Sequence, residues 1–178
     1  MIELIKDSYN FYFETTLKRA DLSHTRGGLL AGAILMFFVT YTSYFADTDF
    51  STGALFSDLV DVLIFWFTSV YVGRWILNKY ITPPFTNLEM FDLLSVWNML
   101  PTLVFGLVLS ALSFFSDENA ELYDVLFFGL TLVWLLIVQN RLSRMLKIKK
   151  MYISYVLLAP MLCAVVLSIM YTYVASQI

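Results

Sequence analysis

One cysteine, Cys163, and one histidine, His24, are all that this 178-residue chain offers a soft metal. A single thiol excludes an intrachain disulfide and a cysteine-built metal site. Cys163 lies inside the last apolar stretch and reads as a small core or lipid-facing residue. His24 precedes the first apolar stretch, with no second histidine to share an ion, and reads as an interfacial polar residue. Charge is also scarce. Charged residues make up 14% and hydrophobic residues 60%, against about 25% and roughly 45–50% in ordinary globular domains. Such a composition excludes a fully hydrated surface and calls for lipid as solvent. The chain has no phosphate loop, dinucleotide fingerprint, His-Glu-x-x-His pair or serine elbow. Asp58 and Asp61 stand one helical turn apart but have no neighbouring base. The expectation is therefore no enzyme, no cofactor, no metal and no nucleic-acid partner.

A local absence says more than any of these. The segments Asp47 to Asp61 and Asp117 to Asp124 contain eight acids (Asp47, Asp49, Asp58, Asp61, Asp117, Glu118, Glu121, Asp124) and no base. All eleven lysines and arginines fall elsewhere, in the groups Lys6 to Arg26, Arg74 with Lys79, and Arg141 to Lys150. Five apolar stretches separate these groups, so that basic and acidic connections alternate without exception. This is the positive-inside pattern, with the N-terminus cytosolic and the C-terminus outside. The basic face suits anionic lipid headgroups. The first apolar run follows a segment bearing Glu3, Asp7, Glu14 and Asp21, unlike the basic start of a cleavable signal peptide. A retained signal-anchor is expected.

The predicted fold is all-α: a polytopic membrane bundle of five transmembrane helices, residues 27–178, preceded by a short amphipathic helix in residues 1–26. The spans are expected at about 27–46, 59–77, 93–115, 124–140 and 151–175. Gly27 to Ala46 carries no charge and is about 30 Å long as a helix, enough to cross the hydrocarbon core. Gly27, Gly28, Ala31, Gly32 and Ala33 smooth its inner half for close packing. The second span needs Asp61 at the outer interface and a snorkelling Arg74 at the inner one. Pro101 and Pro160 interrupt the third and fifth. Pro83 and Pro84 stop the second helix, and Thr86-Asn87-Leu88-Glu89 is a capping box that starts the third. The outer acids read as caps and solvated turns that favour helix N-termini.

In the N-terminal segment Ile2, Ile5, Tyr9, Phe13 and Leu17 recur at helical spacing, with Tyr12 and Ala20 beside them. Glu14 and Lys18 pair on the other face. Two placements follow: a helix lying in the headgroup plane on its aromatic face, which the domain reading adopts, or a lid packed beneath the bundle.

Depth counting at about 1.5 Å per residue brings Arg74, Asn98, Pro101, Gln139, Asn140 and Ser154 to the inner third of the membrane. Polar groups at that depth usually face a bundle interior or a water-filled recess. They are read either as interhelical glue or as a functional polar recess. Arg141, Arg144, Lys147, Lys149 and Lys150 form a basic platform, a candidate contact for a partner or anionic lipid. Trp66, Trp75, Trp97 and Trp134 read as belt or packing residues.

Two local runs resemble the Yip1-domain family of five-span membrane proteins. They are Leu-Leu-Ser-Val-Trp-Asn-Met-Leu-Pro (Leu93 to Pro101) and Val-Trp-Leu-Leu-Ile-Val-Gln-Asn-Arg (Val133 to Arg141), the latter followed after a short basic turn by the last span. The resemblance covers about Leu59 to Tyr173. Eukaryotic members carry a long cytosolic N-terminal region, whereas Thr25-Arg26-Gly27-Gly28 stands here after a short segment, as in a compact bacterial-type member. The resemblance implies a scaffold or accessory to another membrane machine, with no established reaction. The expected function is thus a non-enzymatic accessory subunit of the cytoplasmic (inner) membrane, in contact with lipids and with another membrane protein or itself. The alternative is a small transporter or lipid-handling protein using the inner-leaflet recess.

Overall fold

The computed structural model describes residues 2–14, 18–19, 52–113 and 120–175, and every regular element among them is helical. Helix α1 (Ile2–Tyr9) runs into a wider π-type turn, Asn10–Glu14. Four long helices follow: α2 (Thr52–Leu77), α3 (Asn87–Ser113), α4 (Ala120–Leu146) and α5 (Lys150–Ala175). The expected first span, 27–46, lies outside the described residues, as do His24 and the acids Asp47, Asp49, Asp117 and Glu118. The four long helices overrun the stretches 59–77, 93–115, 124–140 and 151–175 at most of their ends.

Local chemistry sets the ends of these helices. After α2, the Asn78 side chain acts as a substitute peptide: its amide nitrogen donates to the Phe85 carbonyl at 3.0 Å, and its oxygen accepts from the Phe85 amide at 2.6 Å. This clasp closes the loop through Pro83 and Pro84. The capping box then forms as its residues dictate. Thr86 Oγ1 accepts from the Glu89 amide at 3.2 Å, and Glu89 Oε2 accepts from the Thr86 amide at 2.8 Å. Two otherwise orphaned donors of α3 are satisfied reciprocally. Helix α4 ends without a glycine. Lys147 adopts the left-handed conformation (φ 55°), and the Ile148 amide reaches back to the Ser143 carbonyl at 3.1 Å. That is the Schellman arrangement, reinforced by Ser143 Oγ donating to the Ile148 carbonyl at 2.6 Å.

The core lies where α2, α3 and α5 converge, around Leu77, Phe85, Met90, Leu93, Leu94, Leu142 and Ile153, all nearly inaccessible. Helices α2 and α5 share the most extensive interface of the described elements. Gly73 lies in it: a Cβ there would stand 3.6 Å, an ordinary contact distance, from both Pro160 Cγ and the Val156 carbonyl oxygen, and 2.9 Å from Met90 Cε of α3.

Apolar side chains fill the core and also cover much of the outer surface of the described helices. Thr68, Ser69, Asp92, Ser95 and Asn98 are buried, while apolar stripes at helical spacing face outward. On α2 the stripe is Leu63, Phe67, Tyr71 and Trp75; on α4 it is Leu132, Val133, Leu136 and Ile137; on α5 it includes Tyr155, Leu158, Leu162, Val166, Ile169 and Tyr173. Among the described residues one helix, Lys150–Val174, is long and apolar enough to cross a membrane, and the apolar part of α2, Leu63–Leu77, is shorter.

Candidate functional site

The residues expected to form one inner recess divide between separate environments. Gln139 and Ser154 meet: the Gln139 amide donates to Ser154 Oγ and, at 3.3 Å, to the Lys150 carbonyl, tying α4 to α5. Asn98 is buried, and its amide donates at 2.9 Å to the Leu94 carbonyl of its own helix. Thr68 and Ser95 spend their hydroxyls in the same way, on carbonyls three or four residues back. Such back-bonding satisfies a polar group locally where no water is present. Arg74 is half-buried, with its Nε enclosed and without a hydrogen-bond partner. Asn140 is half-buried near Gln139 on α4.

Pro101 belongs to a different junction. A proline inside a helix has no N–H and leaves the carbonyl four residues back without its usual donor. In α3 that carbonyl is Trp97, and the Tyr12 hydroxyl donates to it. The same hydroxyl oxygen accepts from Trp134 Nε1 of α4 at 2.8 Å. One turn earlier on α1, Ser8 Oγ accepts from the Leu100 amide at 3.1 Å. Burial pushes the Tyr12 phenol well above its ordinary range, only partly opposed by the Trp134 bond, so the group stays protonated and remains a donor.

This junction bears on the two placements expected for the N-terminal helix. Ile2, Ile5, Tyr9 and Phe13, read as the lipid-facing stripe, do point outward, with Ile2 84% exposed. The helix nevertheless packs on α3 through the opposite face, Leu4 and Ser8, and the wider turn adds Phe11 and Tyr12. Leu17 and Ala20 lie outside the described residues. The Tyr12 hydroxyl helps hold it on the bundle by supplying the donor that Pro101 denies the Trp97 carbonyl, and Ser8 adds a bond from the Leu100 amide.

Arg19 forms a second attachment. Its guanidinium donates to the Pro83 carbonyl, to the Pro84 carbonyl at 2.7 Å, and to both Glu89 carboxylate oxygens at 3.3 Å. It also covers the Phe85 ring, 4.0 Å from the centroid. Burial works against charge on Glu89, but the Thr86 amide, the Arg19 guanidinium and the Thr86 hydroxyl outweigh it and hold the carboxyl below its usual range. Ser8, Tyr12, Arg19 and Trp134 were not singled out as site residues from sequence. The available signal was Pro101, which demands a donor for Trp97, together with two hydroxyls four apart on one helix.

The basic platform is open. Arg144, Lys147, Lys149 and Lys150 are exposed and Arg141 is half-buried. Nearby, Tyr80 stacks on Tyr152 with ring centroids 4.0 Å apart, fixing the end of α2 against the start of α5. Among the described residues no group of histidine, cysteine or carboxylate side chains is arranged to hold a metal. No protein-family model matches the chain, and no curated protein or solved structure is significantly similar to it.

Proposed function

We propose that this chain is a five-span, Yip1-like protein of the cytoplasmic membrane that acts without catalysis, as a scaffold or accessory subunit binding another membrane protein through its basic turn. The observation that carries this reading is the turn itself. Four exposed cations ride on a connection fixed by the Schellman arrangement at Lys147 and by the Ser143 clasp. A rigid, unshielded cluster of this kind suits an acidic cytosolic surface or anionic headgroups. The outward apolar stripes on α2, α4 and α5 support more than one helix in lipid, since contiguous exposed apolar area of that extent is not sustained in water. The alternation of basic and acidic connections supports a cytosolic N-terminus.

The test is a gentle-detergent purification through an N-terminal tag, followed by mass spectrometry of retained proteins and lipids. A stoichiometric membrane partner that is lost when Arg144, Lys147 and Lys149 are changed to Gln supports the reading. Recovery of the chain alone with one enriched lipid or small molecule sinks it. That outcome would favour the second reading, a small transporter or lipid-handling protein. The enclosed, unpartnered Nε of Arg74 speaks for it. A protein of that kind would lose function in Asn98→Leu at normal abundance and tolerate neutralisation of the turn.

A further inference from the structure

Two outward apolar rows end at the same place in cations. On α2, Leu63, Phe67, Tyr71 and Trp75 recur at every fourth position and are exposed, and the next step of that row is Lys79. Its ammonium lies over the Trp75 ring, 3.4 Å from the centroid. On α5 an exposed row begins beside Lys150 and runs through Met151, Tyr155, Leu158 and Leu162. The Tyr80–Tyr152 stack joins the two cationic ends. The Lys79 and Tyr80 amides fix the turn after α2 by donating to the Ile76 and Leu77 carbonyls at 3.1 and 2.9 Å. Among the described residues Lys79 and Lys150 have no carboxylate partner. An ammonium above a ring keeps donors directed away from it. Length matters as much as charge. Leu63 to Trp75 spans about 18 Å of helix and Met151 to Leu162 about 16 Å. Each is close to half of a hydrocarbon core about 30 Å thick.

We propose that this end of α2 and α5 binds an anionic phospholipid of the leaflet on the basic side, with its phosphate held by Lys79 and Lys150 and its acyl chains on the two rows. Charge selects the occupant. Cations without carboxylate partners favour a net negative headgroup, whereas a zwitterionic headgroup brings its own ammonium to the same cations. The rows then supply apolar contact over one leaflet's depth and no further requirement for polar pairing. The site rests on the reading that α2 and α5 lie in lipid, and it is independent of what binds the basic turn.

The full chain reconstituted in phosphatidylcholine vesicles tests it, with brominated acyl chains carried on either phosphatidylglycerol or phosphatidylcholine, since bromine quenches a tryptophan it touches. Trp75 is exposed whereas Trp66 and Trp97 are buried, and a Trp75→Phe variant isolates the Trp75 signal by difference. At equal bromine content that signal should show a roughly tenfold higher relative affinity for the anionic bromolipid, the scale of two cations at an anionic headgroup. Lys79→Gln combined with Lys150→Gln should abolish the preference, and changing Arg144, Lys147 and Lys149 to Gln should retain it. Equal quenching of the wild type by the two bromolipids would overturn the site alone. So would loss of the preference on neutralising the turn, which would mark a diffuse attraction. Quenching by neither lipid would overturn the site together with the reading of α2 as a lipid-facing helix. Should the double variant fail to accumulate, the comparison of wild type with Trp75→Phe decides between these outcomes.

Discussion

Pro101 in α3 and Pro160 in α5 pose the same problem and receive opposite answers. Each removes an amide from the middle of a long helix and leaves the carbonyl four residues back, Trp97 or Val156, without its donor. At Pro160 the answer is steric. The freed carbonyl packs against α2, where a Cβ on Gly73 would stand 3.6 Å from the Val156 oxygen, an ordinary contact distance, and any longer side chain would meet α5. At Pro101 the answer is chemical: a hydroxyl is supplied from a segment some ninety positions distant, and the Trp134 indole backs it. The steric answer builds a permanent interface. The chemical one joins two distant parts of the chain through specific polar groups.

The largest effect should come from destroying the steric answer. Gly73→Leu forces α2 from α5, since the Val156 backbone cannot yield, and should cost about 3 kcal/mol or prevent accumulation. Gly73→Ala should cost only ~1 kcal/mol, because its nearest neighbour, Met90 Cε, is the end of a flexible side chain. Unfolding in mixed micelles measures both. Equal tolerance of alanine and leucine would show that the two helices do not approach as closely as described.

Tyr12→Phe comes next, at about 2 kcal/mol, because it strands a buried carbonyl and an indole N–H together. The sharper experiment pairs each defect with repair of its proline. Pro101→Ala restores an amide to Trp97, so Tyr12→Phe should cost about 1 kcal/mol less in that background. Pro160→Ala should lower the cost of Gly73→Leu, because it removes the ring carbon that stands 3.6 Å from the Gly73 position. A Tyr12→Phe cost that is unchanged in the Pro101→Ala background would show that the hydroxyl does not serve the Trp97 carbonyl.

Much of this contrast is written in the chain, but unevenly. The stop at Pro83-Pro84 and the Thr86–Glu89 capping box are local, and local residues determine them. Helix type follows from long apolar runs, which leave little else for the backbone to do. The polar recess was less legible, because depth along a helix gives height and says nothing of rotation. Gln139 and Ser154 share a height and meet, whereas Asn98 turns back on Leu94. The N-terminal helix shows the limit most clearly. Apolar periodicity identified Ile2, Ile5, Tyr9 and Phe13 as a face, and they are one, but the face that docks is Leu4, Ser8, Phe11 and Tyr12, where Tyr12 meets the carbonyl behind a distant proline. Leu4, Phe11 and Tyr12 also recur at helical spacing, so apolar spacing alone does not choose between the two faces.

The smallest effect concerns the outer end of the chemical joint, and pH is the lever. Glu89 has its folded-state pKa lowered, so its contribution is complete above the ordinary carboxylate value, about 4.3, and is lost as pH falls through the lower folded value. The ion pair with Arg19 is partly exposed, at 3.3 Å, and such pairs contribute no more than about 1 kcal/mol. Glu89→Gln should therefore lower stability by ~1 kcal/mol or less at neutral pH. The gap between variant and wild type should close as both are acidified below the ordinary carboxylate value and through the lowered folded-state value, where the wild-type carboxyl is itself protonating. Other carboxylates titrate over the same range, but they are common to both proteins and cancel in the difference. The Tyr12 end should not respond, since its phenol remains protonated throughout. Acid should therefore weaken the Arg19–Glu89 attachment while leaving the Tyr12 bonds at Pro101 in place, and a wild-type-minus-variant difference that stays flat with pH would show that Glu89 does not hold that end.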